Sequence, residues 1–179
     1  LQMRSISSTN LQALTSSQLN GLNASQLQLI STGSVQNLLT SQVNSLSTAQ
    51  MVNLTAAQIK GLTSTQLNSL SSTNLQAIET GDLQSLTTAQ VQAISTAQIS
   101  NLSSSQVTAL TKSQVQSLTS AQLNQLSSAQ VQAIEVSDLQ AMTTGQISNL
   151  SSTRLGYLTS TQVQSLTGGQ LQSLKLADL

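Results

Sequence analysis

The sequence contains no cysteine, histidine, proline, tryptophan or phenylalanine, and Tyr157 is its single aromatic residue. Without cysteine there is no disulfide framework and no thiolate metal site; without histidine the commonest metal ligand and general base are missing. The lack of cysteine does not by itself fix the compartment. One aromatic ring leaves almost nothing on which a sugar or a base could stack. Five basic residues balance five acidic ones, so there is no cationic footprint for nucleic acid or anionic lipid. No apolar run approaches the ~18 residues needed to span a bilayer, and membrane insertion is not expected. Serine and threonine are abundant, but a nucleophilic hydroxyl needs a base, and the few lysines and carboxylates stand in no spacing that would supply one. Gly168-Gly169 is an isolated pair rather than a phosphate-binding loop. Neither an enzyme nor a cofactor is expected.

What is present is one octapeptide, written about 22 times. From Ile6 to Leu174 every eighth residue is Leu, Ile or Met, and five residues after each stands a second Leu, Val, Ile or Met. Strict self-similarity of this kind marks a repeat architecture in which each unit packs on its neighbours. Residues 1–179 therefore read as a single octapeptide-repeat solenoid. Leu1 falls in mid-repeat, which suggests a piece of a longer array or a processed product.

With the first apolar residue numbered 1, the copy LTSAQLNQ places Leu118 at position 1, Thr119 at 2, Gln122 at 5 and Leu123 at 6. Position 2 is Ser or Thr in 17 of 22 copies and position 5 is Gln in 16 of 23, so S/T-x-x-Q recurs between apolar residues. This is a capping box: the hydroxyl accepts from the backbone N–H three residues on, and the glutamine reaches back to the cap's own N–H. Positions 1 and 6 are then the two halves of a hydrophobic staple. A helix begun at position 3 has about six residues, far too few to stand alone in water, so stacking must stabilise it. Two copies per coil would give a flat ribbon and three a triangular prism. The sequence leaves that choice open, because substitutions recur at both 48 and 56 residues.

The reading is an all-α solenoid of very short capped helices, one per octad. A β-solenoid or cross-β repeat is the alternative, since Ser, Thr, Val and Asn are common and charge is sparse. Against it, apolar spacings of five and three do not alternate with period two, and turn residues are few, with eight Gly and no Pro. Disorder ranks last, because an unfolded linker has no reason to keep position 6 apolar in every copy.

Departures from the repeat mark where a specific site would lie. In IETGDLQS and IEVSDLQA both capping positions are acidic, giving the pairs Glu79/Asp82 and Glu135/Asp138. Carboxylates at a helix start suit its dipole and serve as variant caps. The same four residues are the candidates for a divalent cation, although Ca²⁺ wants six to eight oxygens and no Asp/Gly-rich loop is present. No metal site is expected. Lys175 and Asp178, with Leu176, read as a terminal adaptation of the last copy. Arg154 and Tyr157 fall in one copy, LSSTRLGY, and read as cover for neighbouring surface. Leu39, at a capping position, and Leu29 bring extra apolar surface near Leu38, which points to a small contact patch or to local repacking, with repacking favoured.

The pattern LTxxQ[VIL]xx, as in LTTAQVQA at Leu86–Ala93, resembles the octad tracts of large bacterial surface or secreted proteins often labelled adhesion or haem-utilisation proteins. The resemblance covers the whole chain. It implies an extracellular or cell-surface stalk, spacer or filament body that self-associates, and it carries over no catalytic or haem-ligating residue. Met3, Met51 and Met142 all stand at core positions, which leaves haem without an evident ligand. The alternative is an adhesion module whose ranks of Ser, Thr and Gln meet an extended extracellular surface such as ice, a polysaccharide or a mineral. The free interchange of Ser and Thr at position 2 fits capping better than a threonine array.

Overall fold

The computed structural model describes residues 6–174, and among them every regular element is a helix. Twenty-one helices of four to six residues follow one another at the octad spacing, from α1 (Ser8–Gln12) to α21 (Gly168–Ser173). Each begins at position 3, behind an extended cap residue at position 2. Thr119 is typical, with φ −74° and ψ 157° ahead of α15 (Ser120–Leu123). At the far end, the N–H of the next position 1 closes a short turn onto the carbonyl of position 6, as in Leu126 to Leu123 at 3.2 Å. Position 1 is itself extended where the helix runs to six residues, as at Leu62 (φ −65°, ψ 137°). In those copies two extended residues redirect the chain. No described residue has a positive φ, which explains how so glycine-poor a chain turns so often.

The chain divides into two compact units, the first running to Gln90 and the second starting at Val91. Within the first, α2 (Ser16–Asn20) packs on α5 (Thr40–Ser45), α4 (Thr32–Val35) on α7 (Ala56–Gly61), and α5 on α8 (Ser64–Ser69). The second repeats the rule: α12 (Thr96–Asn101) packs on α15, α14 (Lys112–Ser117) on α17 (Val136–Ala141), and α18 (Thr144–Ser148) on α21. In each of these pairs a helix meets the third helix along, so one coil of each unit contains three octads. That resolves the choice between two and three copies per coil.

The core is built as the octad predicts. Position 6 side chains from Leu11 to Ile147 are buried, as are those at position 1 from Ile30 to Leu150. Residues at position 8 are mostly small, and at Gly61 the stacked coil comes close. A β-carbon there would lie 2.7 Å from the Thr32 methyl and 3.0 Å from the Thr32 carbonyl oxygen. Leu39 differs from expectation. It remains 46% exposed over the start of α5 instead of repacking into the core, because the inward side of its copy is already filled by Leu38 and Val43.

Gly61→Ala should destabilise the protein by about 1–3 kcal/mol, since the contact below it is partly backbone and cannot rotate away. Gly168, at the first turn of α21, has open space where a β-carbon would stand. Gly168→Ala should instead stabilise by about 0.5–1 kcal/mol. Thermal or urea unfolding of the two variants checks the opposite signs.

Candidate functional site

Among the polar positions, the single residue type that recurs most often is the glutamine at position 5. In the copy beginning at Leu118, the Thr119 N–H donates to Gln122 Oε1 at 2.7 Å, and the Gln122 N–H donates to Thr119 Oγ1 at 3.2 Å. This is the reciprocal box expected from sequence, and it recurs from Thr15/Gln18 to Thr167/Gln170. The other half of the amide makes bonds that a capping box does not predict. Gln122 Nε2 reaches the coil below and donates to the carbonyls of Val91 at 2.9 Å and Ile94 at 2.7 Å, 31 and 28 residues back. Gln42, Gln50, Gln58 and Gln66 do the same in the first unit, and Gln130, Gln146, Gln162 and Gln170 in the second. These glutamines are buried, with Gln122 only 2% exposed. A second rank runs the other way: at position 7, Gln12, Gln28, Gln116 and Gln140 donate to the position 8 carbonyl 25 residues ahead.

Copies lacking glutamine at position 5 show what the amide contributes. Asn74 is one methylene shorter; its Nδ2 still donates to the Leu46 carbonyl at 2.9 Å, but the N–H of its cap residue Ser71 turns instead to Asn44 Oδ1, also at 2.9 Å. Arg154 has no acceptor at all, and there the Ser151 N–H donates to Asn124 Oδ1 at 2.8 Å. Both substitutes stand at position 7, 30 residues before the exception. That shared offset is the sequence signal that could have given three octads per coil.

The two acidic copies behave differently from the expectation that their carboxylates act as caps. Glu79 and Glu135 occupy the cap positions of α10 (Thr80–Leu83) and α17, yet neither side chain accepts a cap hydrogen bond. A glutamate is longer than the Ser, Thr, Asp and Asn side chains that fold back onto the first turn. Asp82 and Asp138 stand at position 5, and Asp138 is buried. Burial, and then the neighbouring Glu79, push the Asp82 carboxyl above its ordinary 3.8. Burial and Glu135 push Asp138 up in the same way, against a smaller pull from Lys112 and the Ser137 hydroxyl. An ionised aspartate has no proton to give to the carbonyls that Asn74 reaches in the equivalent place. As for a metal, no group of three or more His, Cys, Asp or Glu side chains comes together among the described residues.

Arg154 and Tyr157 do meet: the guanidinium lies 5.5 Å from the ring centroid, over half-buried surface in α19 (Ser152–Leu155). Its Nε is buried with no hydrogen-bond partner. Lys175, Leu176 and Asp178 lie outside the described residues. No described helix is long and apolar enough to cross a membrane.

Two stretches of the chain, residues 75–112 and 131–168, match the ALTTAQ repeat family. Both begin at a position 6 residue, Leu75 and Val131, and follow the octad register through to their ends. The chain thus carries a tandem repeat tract of that kind. No curated protein matches it.

Gln122 separates the two functions of the amide. Thr119→Ala, which removes only the cap acceptor, should cost about 1 kcal/mol. Gln122→Glu keeps the acceptor but strips both donors and sets a charge against two buried carbonyls; its cost should be larger, about 2–4 kcal/mol. Equal losses in denaturant melts would contradict the inter-coil role.

For Asp138 the sign follows from its raised pKa. The folded state holds the proton more tightly than the unfolded chain, so this group adds stability as pH falls through its folded pKa, fully so below 3.8. Asp138→Asn should raise the melting temperature at neutral pH, where the aspartate is charged, and the gain over wild type should shrink on acidification. A gain independent of pH, measured by thermal scans from pH 7 to pH 3, would rule out the carboxyl as its cause.

Proposed function

We propose that the chain is a structural repeat element, a spacer or filament body at a cell surface or outside the cell, with no catalytic role. One observation carries this reading: the side chains that recur are already engaged in holding the protein's own backbone. Position 2 hydroxyls cap helices, position 5 amides join each coil to the one below, and position 7 amides join it to the one above. What remains exposed is a neutral polar surface with a few isolated charges, suited to separating other things by a fixed distance. The surface location rests on the resemblance of the octad alone.

Adding a coil tests the spacer directly. Duplication of residues 94–117, three octads of the second unit, should leave helicity per residue unchanged. It should also lengthen the particle by about one helix-packing distance, roughly 8–10 Å. Small-angle scattering reads that increment, and a maximum dimension that fails to grow would sink the spacer. For location, Lys60 and Lys112 are exposed and should react with a membrane-impermeant amine reagent on intact source cells. Reaction only after lysis would place the chain inside.

A further inference from the structure

One junction inside the second unit lacks the amide that closes its neighbours. Gln146 donates to the carbonyls of Val115 and Leu118, and Gln162 to those of Val131 and Ile134. Between these two pairs, the carbonyls of Leu123 and Leu126 fall to Arg154, which stands 31 and 28 residues further on. Among the described residues no side chain donates to either of them, and the Leu123 carbonyl takes the N–H of Leu126 at 3.2 Å. The gap is flanked by served carbonyls on both sides, so it belongs to the copy LSSTRLGY and to its arginine.

Arginine and glutamine carry a nitrogen at the same number of bonds from the backbone, Nε in one and Nε2 in the other. Arg154 therefore brings an N–H to the level from which the neighbouring amides reach their carbonyls. It does not make their bond. Nε is buried without a hydrogen-bond partner, and the rest of the guanidinium continues to the half-buried Tyr157, 5.5 Å from the ring centroid. Beside it is a hollow of about 10 Å³, lined by Arg154 with Leu123, Leu126, Leu139 and Met142 among others. Such a space is about the smallest that admits one water molecule. With aliphatic side chains alone around it, it would stay dry. Here its wall includes the residues of one buried donor and two carbonyls that no side chain serves.

We propose that this junction binds one ordered water molecule, which accepts from the Arg154 Nε–H and donates to the carbonyls of Leu126 and Leu123. Three hydrogen bonds are the usual number for a buried water. The charges around the hollow select it. An anion would pair with the guanidinium but face two carbonyl oxygens, and a cation would suit the carbonyls but meet the guanidinium. A neutral molecule that both accepts and donates satisfies both sides, and at this size it is water. The water supplies the donors that a glutamine amide gives elsewhere, as Asn124 supplies the missing acceptor to the Ser151 N–H. The copy thus departs from the repeat without stranding the groups its amide would have paired.

A high-resolution crystal structure of the chain tests the position directly. Water density within hydrogen-bond distance of both Arg154 Nε and the Leu126 carbonyl is expected; an empty hollow, or a guanidinium nitrogen bonded straight to Leu126, would overturn the site. In solution, oxygen-17 relaxation dispersion counts the waters held inside a protein. Arg154→Gln restores the direct amide bonds, so it should show one such water fewer than the wild type and a higher urea midpoint. Arg154→Met keeps an apolar stem but has no N–H; it should lose the same water and fall short of the glutamine variant in stability. Circular dichroism confirms that each variant keeps its helices. Equal water counts in the three proteins, or a methionine variant as stable as the glutamine one, would reject the water as the link between these coils.

Discussion

The structure depends on satisfying the backbone of helices too short to satisfy themselves. An α-helix leaves four N–H groups and four carbonyls unpaired at its ends, so in a helix of four to six residues almost every peptide group belongs to an end. Burying such groups without partners costs more than the apolar contacts of one octad return. The position 5 glutamine meets that demand because a primary amide on two methylenes carries an acceptor and two donors within reach of different coils. Its oxygen takes the cap N–H of its own copy, and its nitrogen gives to two carbonyls of the coil below. Glutamate lacks the donors, arginine the acceptor, and asparagine the length.

The exceptions support this account better than the regular copies do. Where Asn74 falls short and Arg154 has no acceptor, an asparagine on the preceding coil supplies the missing oxygen, so the N–H of the cap residue is paired in both cases. At Asp82 and Asp138 the carboxyls are pushed toward the protonated form, the form in which an aspartic acid again has a donor. These substitutions change which atom pairs, while the backbone path of the octad stays the same.

Much of the fold was legible in the sequence because the signals are local. Cap, reciprocal cap and the two apolar positions lie within six residues, and the structure places Thr119, Gln122, Leu118 and Leu123 where the octad predicts. The second use of glutamine was not legible, because Gln122 and Ile94 are 28 residues apart and every intervening octad offers an equally good leucine and carbonyl. Leu39 misled for a related reason: its neighbour Leu38 already fills the inward position, so an added apolar residue at a cap has only solvent to face. Glu79 and Glu135 suit a helix start by charge and acceptor chemistry, but neither side chain accepts the cap hydrogen bond, because a glutamate is too long to fold back onto its own first turn.

A chain of near-identical octads faces the problem of counting. Slipping one coil past the next by a single octad would exchange leucine for leucine and glutamine for glutamine, so neither the core nor the amide rank can by itself hold three octads per coil. The irregular residues can. A slip in the first unit would set Asn53 or Ser69 over Thr32 in place of Gly61 and carry Asn44 away from the Ser71 N–H; in the second it would separate Asn124 from Ser151. Each stranded N–H costs about 1–3 kcal/mol, more than the exchange of one aliphatic side chain for another. The repeat therefore supplies the stability of stacking, and its imperfections supply the register. Arrays of flawless octads would accordingly stack as tightly but hold their coil count less firmly, which gives selection a physical reason to keep such imperfections in place.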